Sequence, residues 1–276
     1  MRIEGRNLER KDKTEQFAGA EAGASRAAGG SAILRAVRIM EAIAAAEAPV
    51  QLAQICREVG LPKPTVFRIL STLEQAGLVA REPGEKRYAC AERLNALAGR
   101  ALLNSPNRAA RRAVLEELVE QVGETCNLAI PNNNSVLYLD RVEVAWPLRV
   151  SLGAGSKLPL YASASGKLFL SHMPKRSRER FLAVSPLIPH TPRTLVDRAR
   201  LAHEFDNIRA NGYAVEDEEY LSGVCCLAVP VRTVDNRLVA ALAVHSPVSR
   251  LPIAQAMEFL PLMRRSADAI AQTIDW

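Results

Sequence analysis

The chain has 276 residues, 48% of them apolar, and a formal net charge of +6. That length suits about two domains, each with apolar side chains enough for a core. No run of eighteen apolar residues occurs, so no transmembrane helix is expected, and the mixed-charge start MRIEGRNLERKDKTEQ does not read as a secretory signal. The five cysteines, Cys56, Cys90, Cys126, Cys225 and Cys226, contain no CxxC pair. Reduced thiols in a cytoplasmic protein are expected, with no metal or cofactor.

Residues 1–30, ending AGASRAAGG, read as a disordered tail. In SAILRAVRIMEAIAAA the residues Ile33, Leu34, Val37, Met40 and Ile43 recur at helical spacing and predict a core-facing stripe. Two further short helices follow. Leu52, Ile55, Cys56 and Val59 set the first, Gly60-Leu61-Pro62 breaks it, and Val66, Ile69, Leu70 and Leu73 set the second. Pro64 suits the first helical position, and Gly77 suits a left-handed cap. Thr65, Arg68, Thr72 and Gln75 occupy the face opposite the apolar one, with Lys63 just ahead of the first turn. A helix pair with this turn and a polar second helix matches a helix-turn-helix, whose second helix enters the major groove of DNA. Such pairs also occur in all-helical domains with no DNA function, so the context matters.

The next segment, LVAREPGEKRYAC, alternates as two short strands around Pro83-Gly84, with Arg81, Lys86 and Arg87 on or near the tip. Three helices and a basic hairpin make a winged helix-turn-helix over residues 31–91, the hairpin cations meeting phosphate. Charge follows the same division. Residues 1–115 carry 19 Lys and Arg against 12 Asp and Glu, and residues 116–276 carry 17 against 18. The basic excess lies on the side expected to hold DNA.

Residues 92–122 are helical in period and interrupted at Ser105-Pro106. Leu94, Leu97, Ala101 and Leu102 form an apolar stripe, and Arg108, Arg111 and Arg112 a basic cluster. These linker helices either pair with a second copy or pack on their own domain. From residue 123 the texture becomes α+β. TCNLAI, SVLYLDRV and LRVSL read as strands, the first two joined at Asn132-Asn133-Asn134. LPLYASASGKLFL runs from an extended piece into a helix near Ser163, and LVDRARLAHEFDNIRANGY is a helix stopped by Gly212. CLAVPV and LVAALAVHS are strands, and residues 252–276 close as one amphipathic helix. Short connections predict an antiparallel sheet over residues 123–276.

At this point the chain resembles the isocitrate-lyase-regulator (IclR) family of bacterial transcription regulators. The resemblance is carried over about residues 31–272 by the winged helix followed by LPLYASASGKLFL, GYAVEDEEYLSGVCCLAVPV and VAALAVHSPVSR. It implies a GAF-like effector domain, dimers or tetramers on operator DNA, and a small organic or aromatic acid as effector. It places the acid's carboxylate on the backbone N–H groups of Ala164 and Ser165, at a helix N-terminus whose dipole favours an anion. It puts the family's acidic position on Glu216, with Asp217 beside it, and its strand cysteine on Cys226. Two further polar positions fall on Ala243 and His245, a departure from the family's oxo-acid sensors that favours a larger or aromatic acid. Val150, Leu158 and Val224 are expected as the apolar wall. The competing reading is a thiol-dependent enzyme using Cys226, with His245 as base and Glu216 as orienter. Against it, Cys225 should point to the opposite face of its strand and cannot resolve a Cys226 intermediate.

Overall fold

A computed structural model describes residues 31–46, 48–82, 86–103, 107–132, 135–145 and 157–273. The chain divides between Ala89 and Cys90 into two compact units. The expected tail over residues 1–30, the hairpin tip at Pro83-Gly84, the Ser105-Pro106 interruption and the LRVSL strand with Val150 lie outside the described residues.

The first unit holds α1 (Ala32–Ala44), β1 (Val50–Gln51), α2 (Leu52–Val59), α3 (Lys63–Gln75) and β2 (Val79–Arg81), and β3 (Arg87–Cys90) ends at its boundary. The three strands form a sheet in the order β1-β3-β2. Ile55, Val59, Val66, Leu70 and Leu73 are buried, as their spacing requires. The turn between α2 and α3 depends on Gly60, whose left-handed backbone (φ 65°) is open to glycine at little strain. The α3 helix begins at Lys63, so Pro64 is its second residue, still within the turn whose N–H groups have no intrahelical partner.

The α1 stripe differs from expectation. Ile39 and Ile43 are buried, while Ile33 is 74% exposed and Leu34 and Val37 are also exposed. The helix carries two apolar stripes, and the chain's own core takes only the one through Ile39 and Ile43.

In the second unit, α4 (Glu92–Leu103) and α5 (Arg108–Val122) precede β4 (Thr125–Asn132), β5 (Ser135–Val142) and β6 (Lys157–Pro159). Then come α6 (Ala164–His172), α7 (Lys175–Val184), α8 (Arg198–Asn211), β7 (Ala214–Asp217), β8 (Val224–Arg232) and β9 (Leu238–Pro247). The expected closing helix is broken into α9 (Ile253–Ala256), a 3₁₀ turn at Met257–Phe259 and α10 (Leu260–Ala271). Pro261 in the first turn of α10 accounts for the break, because it cannot donate within a continuous helix. Helix α7 carries no clear apolar period. Only Phe181, Leu182 and Arg178 are buried, the guanidinium donating to the carbonyl of Ser171.

The six strands form an antiparallel sheet ordered β6-β5-β4-β9-β8-β7. Alternation divides its side chains between two cores. Leu128, Leu227, Val229, Leu242 and Val244 face α5 and α10. Ala129, Cys226, Ala228, Ala241 and Ala243 face α6, α7 and α8. The alanines allow α6 to approach the sheet closely, and Gly166 completes the fit, since a Cβ there would run into the Leu160 backbone. The basic cluster on α5 is largely spent inside the unit. Arg108 and Arg111 approach Asp140 at 3.7 and 3.9 Å, with Arg111 1% exposed, and Arg112 pairs with Glu116.

Candidate functional site

Two sites emerge, one on each unit. On the first, Lys63, Pro64, Arg68 and Thr72 are exposed on α3 and Thr65 is half-buried. Arg81 and Lys86 are exposed on the hairpin and Arg87 is half-buried. Phe67, 49% exposed beside Arg68, belongs to the same surface although its apolar character assigned it to no site. An exposed aromatic ring among polar neighbours suits contact with a thymine methyl group in the major groove. The Thr72 hydroxyl donates to the Arg68 carbonyl at 3.1 Å, one turn back on the same helix.

On the second unit, Leu158, Ser163, Ala164, Glu216, Tyr220, Leu221, Val224, Cys226 and His245 enclose a cavity of about 20 Å³. It is room for roughly one water. Six of the nine residues expected for an effector are among them: Leu158, Ala164, Glu216, Val224, Cys226 and His245. Ser165 and Ala243 are buried close by without lining it.

Each wall has a sequence cause. Ser163 caps α6: its hydroxyl accepts from the Gly166 N–H and donates to the Pro159 carbonyl, so the helix starts beside the cavity. The first N–H groups of a helix have no intrahelical partner, which makes this end suited to an oxyanion. Glu216 pairs in register with Cys226, and Cys226 with His245, so the three side chains stand in one row across β7, β8 and β9. Glu216 lies within β7. Its Oε1 accepts the N–H groups of Glu219 at 2.6 Å and Tyr220 at 3.1 Å, which fixes the segment that closes the cavity.

That segment is fastened from outside as well. Thr191 and Thr194 donate to the carbonyls of Glu218 and Glu219, both at 2.6 Å, and His190 meets the Tyr220 ring edge-on. Lys167 reaches Glu219 at 2.5 Å and Glu204 at 3.4 Å, so its ammonium is spent on acids away from the cavity.

Burial sets the charges. Desolvation pushes the Glu216 carboxyl up to about 7, against the N–H groups that hold it down. Desolvation and the nearby Arg141 charge push His245 down to about 3, so the imidazole is neutral at physiological pH. Its Nε2 lies 3.3 Å from the Tyr138 hydroxyl and 3.5 Å from Cys226 Sγ. Burial also raises the Cys226 thiol well above its ordinary value. A neutral imidazole beside a protonated thiol is no thiolate nucleophile with its base. Cys225 points to the other face, within 3.3 Å of the Ser246 hydroxyl and the Leu251 carbonyl, and cannot resolve Cys226.

Sequence reasoning missed Tyr138, Tyr220 and Leu221. Alternation puts Tyr138 on the cavity face only through a shift of register between Leu128 and Ala129, which periodicity does not reveal.

Comparison with known proteins decides the kinship. Residues 100–272 match the family described as "Bacterial transcriptional regulator IclR C-terminal", and residues 32–83 match the "IclR helix-turn-helix domain". The chain belongs to the IclR family. It is 42% identical over 243 residues to the "Probable transcriptional regulator SauR" of Cupriavidus necator, covering 88% of this chain and 96% of that protein. It is 30% identical over 241 residues to the transcriptional repressor IclR of Escherichia coli, covering 86% and 88%. A crystal structure of an IclR homologue from Microbacterium hydrocarbonoxydans, complexed with 4-hydroxybenzoate, superimposes with a TM-score of 0.56 at 25% identity, covering 88% of this chain and 98% of that one. The chain is thus an IclR-family transcriptional regulator with a helix-turn-helix DNA-binding domain. Its relatives are named as regulators, which removes the enzyme alternative together with the electrostatics of Cys226 and His245. No helix among the described residues is long and apolar enough to cross a membrane.

Proposed function

We propose that this IclR-family protein is a cytoplasmic regulator whose grip on double-stranded operator DNA is set by a small carboxylic or aromatic acid bound at the α6 N-terminus. The observation that carries this reading is the cavity itself. A helix N-terminus faces a neutral imidazole and a carboxyl that titrates near 7, so an anion meets donors and little opposing charge. The 4-hydroxybenzoate of the Microbacterium homologue supports an aromatic acid as one class to test. At about 20 Å³ the cavity is too small for such an acid as it stands, so the acid must widen it on entering. Binding then favours the widened arrangement, and that difference in affinity is what shifts the regulator.

DNA contact is assigned to Lys63, Thr65, Phe67, Arg68 and Thr72 on α3, with Arg81, Lys86 and Arg87 on phosphate. A homodimer or homotetramer fits the apolar surfaces of single elements: Ile33, Leu34 and Val37 on α1, and Leu97, 60% exposed, on α4. Two half-sites read by two copies follow from that.

A thermal-shift screen of carboxylic and aromatic acids tests the reading, followed by anisotropy of labelled operator DNA with each acid that raises the midpoint. The expected result is at least one acid that stabilises the protein and changes operator affinity. A stabilising acid whose affinity is unchanged by the double variant Glu216→Gln, His245→Ala binds elsewhere and sinks the site.

A further inference from the structure

We propose that Asn127, with Arg141 and Tyr138 beside it, forms a second polar subsite that takes the far, oxygen-bearing end of a bifunctional acid; this rests on the effector reading above. Asn127 is 0% exposed, and neither atom of its side-chain amide has a hydrogen-bond partner among the described residues. It stands on β4 on the same face of the sheet as the cavity. Register sets it directly between Ala243 on β9 and Arg141 on β5, one row from the Thr125 and His245 pair. The same patch holds further polar groups. The Arg141 guanidinium lies 5.7 Å from the centre of the Tyr138 ring, with its Nε donating to Glu143 at 3.0 Å, and the Tyr138 hydroxyl is 3.3 Å from His245.

A buried amide that lacks partners is destabilising, and an apolar side chain of the same branched shape would leave no polar atom unpaired there. Its position makes sense when a guest group supplies the missing partners. An amide that donates and accepts, a cation and a phenol together recognise an acceptor oxygen, such as a hydroxyl or a second carboxylate. One carboxylate on the α6 N-terminus and a second oxygen at Asn127 would span the alanine floor of Ala228 and Ala243. The effector class is therefore an acid with two polar ends.

Isothermal titration of the full chain with matched acids tests this: benzoate against 4-hydroxybenzoate and terephthalate, and propionate against succinate. In the wild type, one bifunctional acid should bind about tenfold or more tightly than its monoacid, the value of one hydrogen bond to a charged group. Asn127→Leu should abolish that advantage, leave the monoacid unchanged and not lower the unliganded melting midpoint. Asn127→Asp should reject the dicarboxylate more strongly than the monoacid. Equal affinities within both sets, or an advantage that survives Asn127→Leu, overturns the subsite while leaving the α6 site standing. A lowered unliganded midpoint in Asn127→Leu assigns the amide to the scaffold and also overturns it. Absence of binding by every acid overturns the effector reading and the subsite together.

Discussion

Helix α3 and the cavity beside α6 place polar groups in opposite ways. On α3 the apolar side chains Val66, Leu70 and Leu73 are buried, and the working residues project into solvent from the face left over. In the cavity the working residues are themselves inside, and burial rather than exposure sets their chemistry. Phosphate meeting the first arrangement would meet exposed cations, so the strength of the contact would depend on salt. A ligand in the second would meet groups whose charge is set by burial, so its affinity would depend on pH and on how well each polar atom is paired.

The largest test of that contrast is on stability. Lys167 is 1% exposed between the buried Glu219 and the half-buried Glu204, so Lys167→Met strands the Glu219 carboxylate behind the segment that closes the cavity. A loss of about 3–5 kcal/mol is expected in urea unfolding. Arg68→Ala, on an exposed face, should change unfolding by no more than about 0.5 kcal/mol. Similar losses in both would mean that the two sites are not built differently. In DNA binding the order reverses. Arg68→Ala should cost about 1–3 kcal/mol at the operator if it reads a base, with little loss on random DNA. A preference between the two that stays intact would remove Arg68 from base readout.

The same contrast explains what the sequence disclosed. Helical period located α2 and α3, and alternation located β4, β5, β8 and β9, because each element buries one face and repeats accordingly. Motif position grouped Leu158, Ala164, Glu216, Val224, Cys226 and His245, and the structure brings these six around one cavity. Asn127, Tyr138 and Tyr220 stayed hidden, because strand register, a bulge in the β4–β5 ladder and a loop fixed by Thr191 and Thr194 are tertiary facts. On α1 the pattern misled, since Ile33, Leu34 and Val37 are as apolar as Ile39 and Ile43 and nothing local says which stripe the chain's own core takes.

A pH series sharpens the comparison further. Burial raises Glu216 to about 7, so the carboxyl is protonated below that value and ionised above it. An acid anion beside it is repelled only by the ionised form. Effector affinity should therefore be full below about pH 7 and fall by up to tenfold for each unit above it. Glu216→Gln keeps an acceptor for the Glu219 and Tyr220 N–H groups and should flatten the profile. A wild-type affinity that rises with pH would place the anion away from Glu216. Operator affinity without effector should show no matching step, since Glu216 belongs to the other unit, not to the one that holds α3.

The smallest effect belongs to the hairpin. Lys86 is exposed and holds a left-handed backbone (φ 48°), which sets its ammonium at the end of the β2–β3 ladder closed by the Glu82 N–H to Arg87 carbonyl bond. A cation there is expected to touch phosphate and read no base, so Lys86→Ala should weaken operator and random DNA equally. Each phosphate contact releases counterions, so the slope of log affinity against log salt should become shallower by about 0.9. Arg68→Ala changes the ratio between sequences, whereas Lys86→Ala changes the slope at constant ratio. If Lys86→Ala altered the ratio instead, the hairpin would lie in a groove rather than on the backbone, and readout would extend beyond α3.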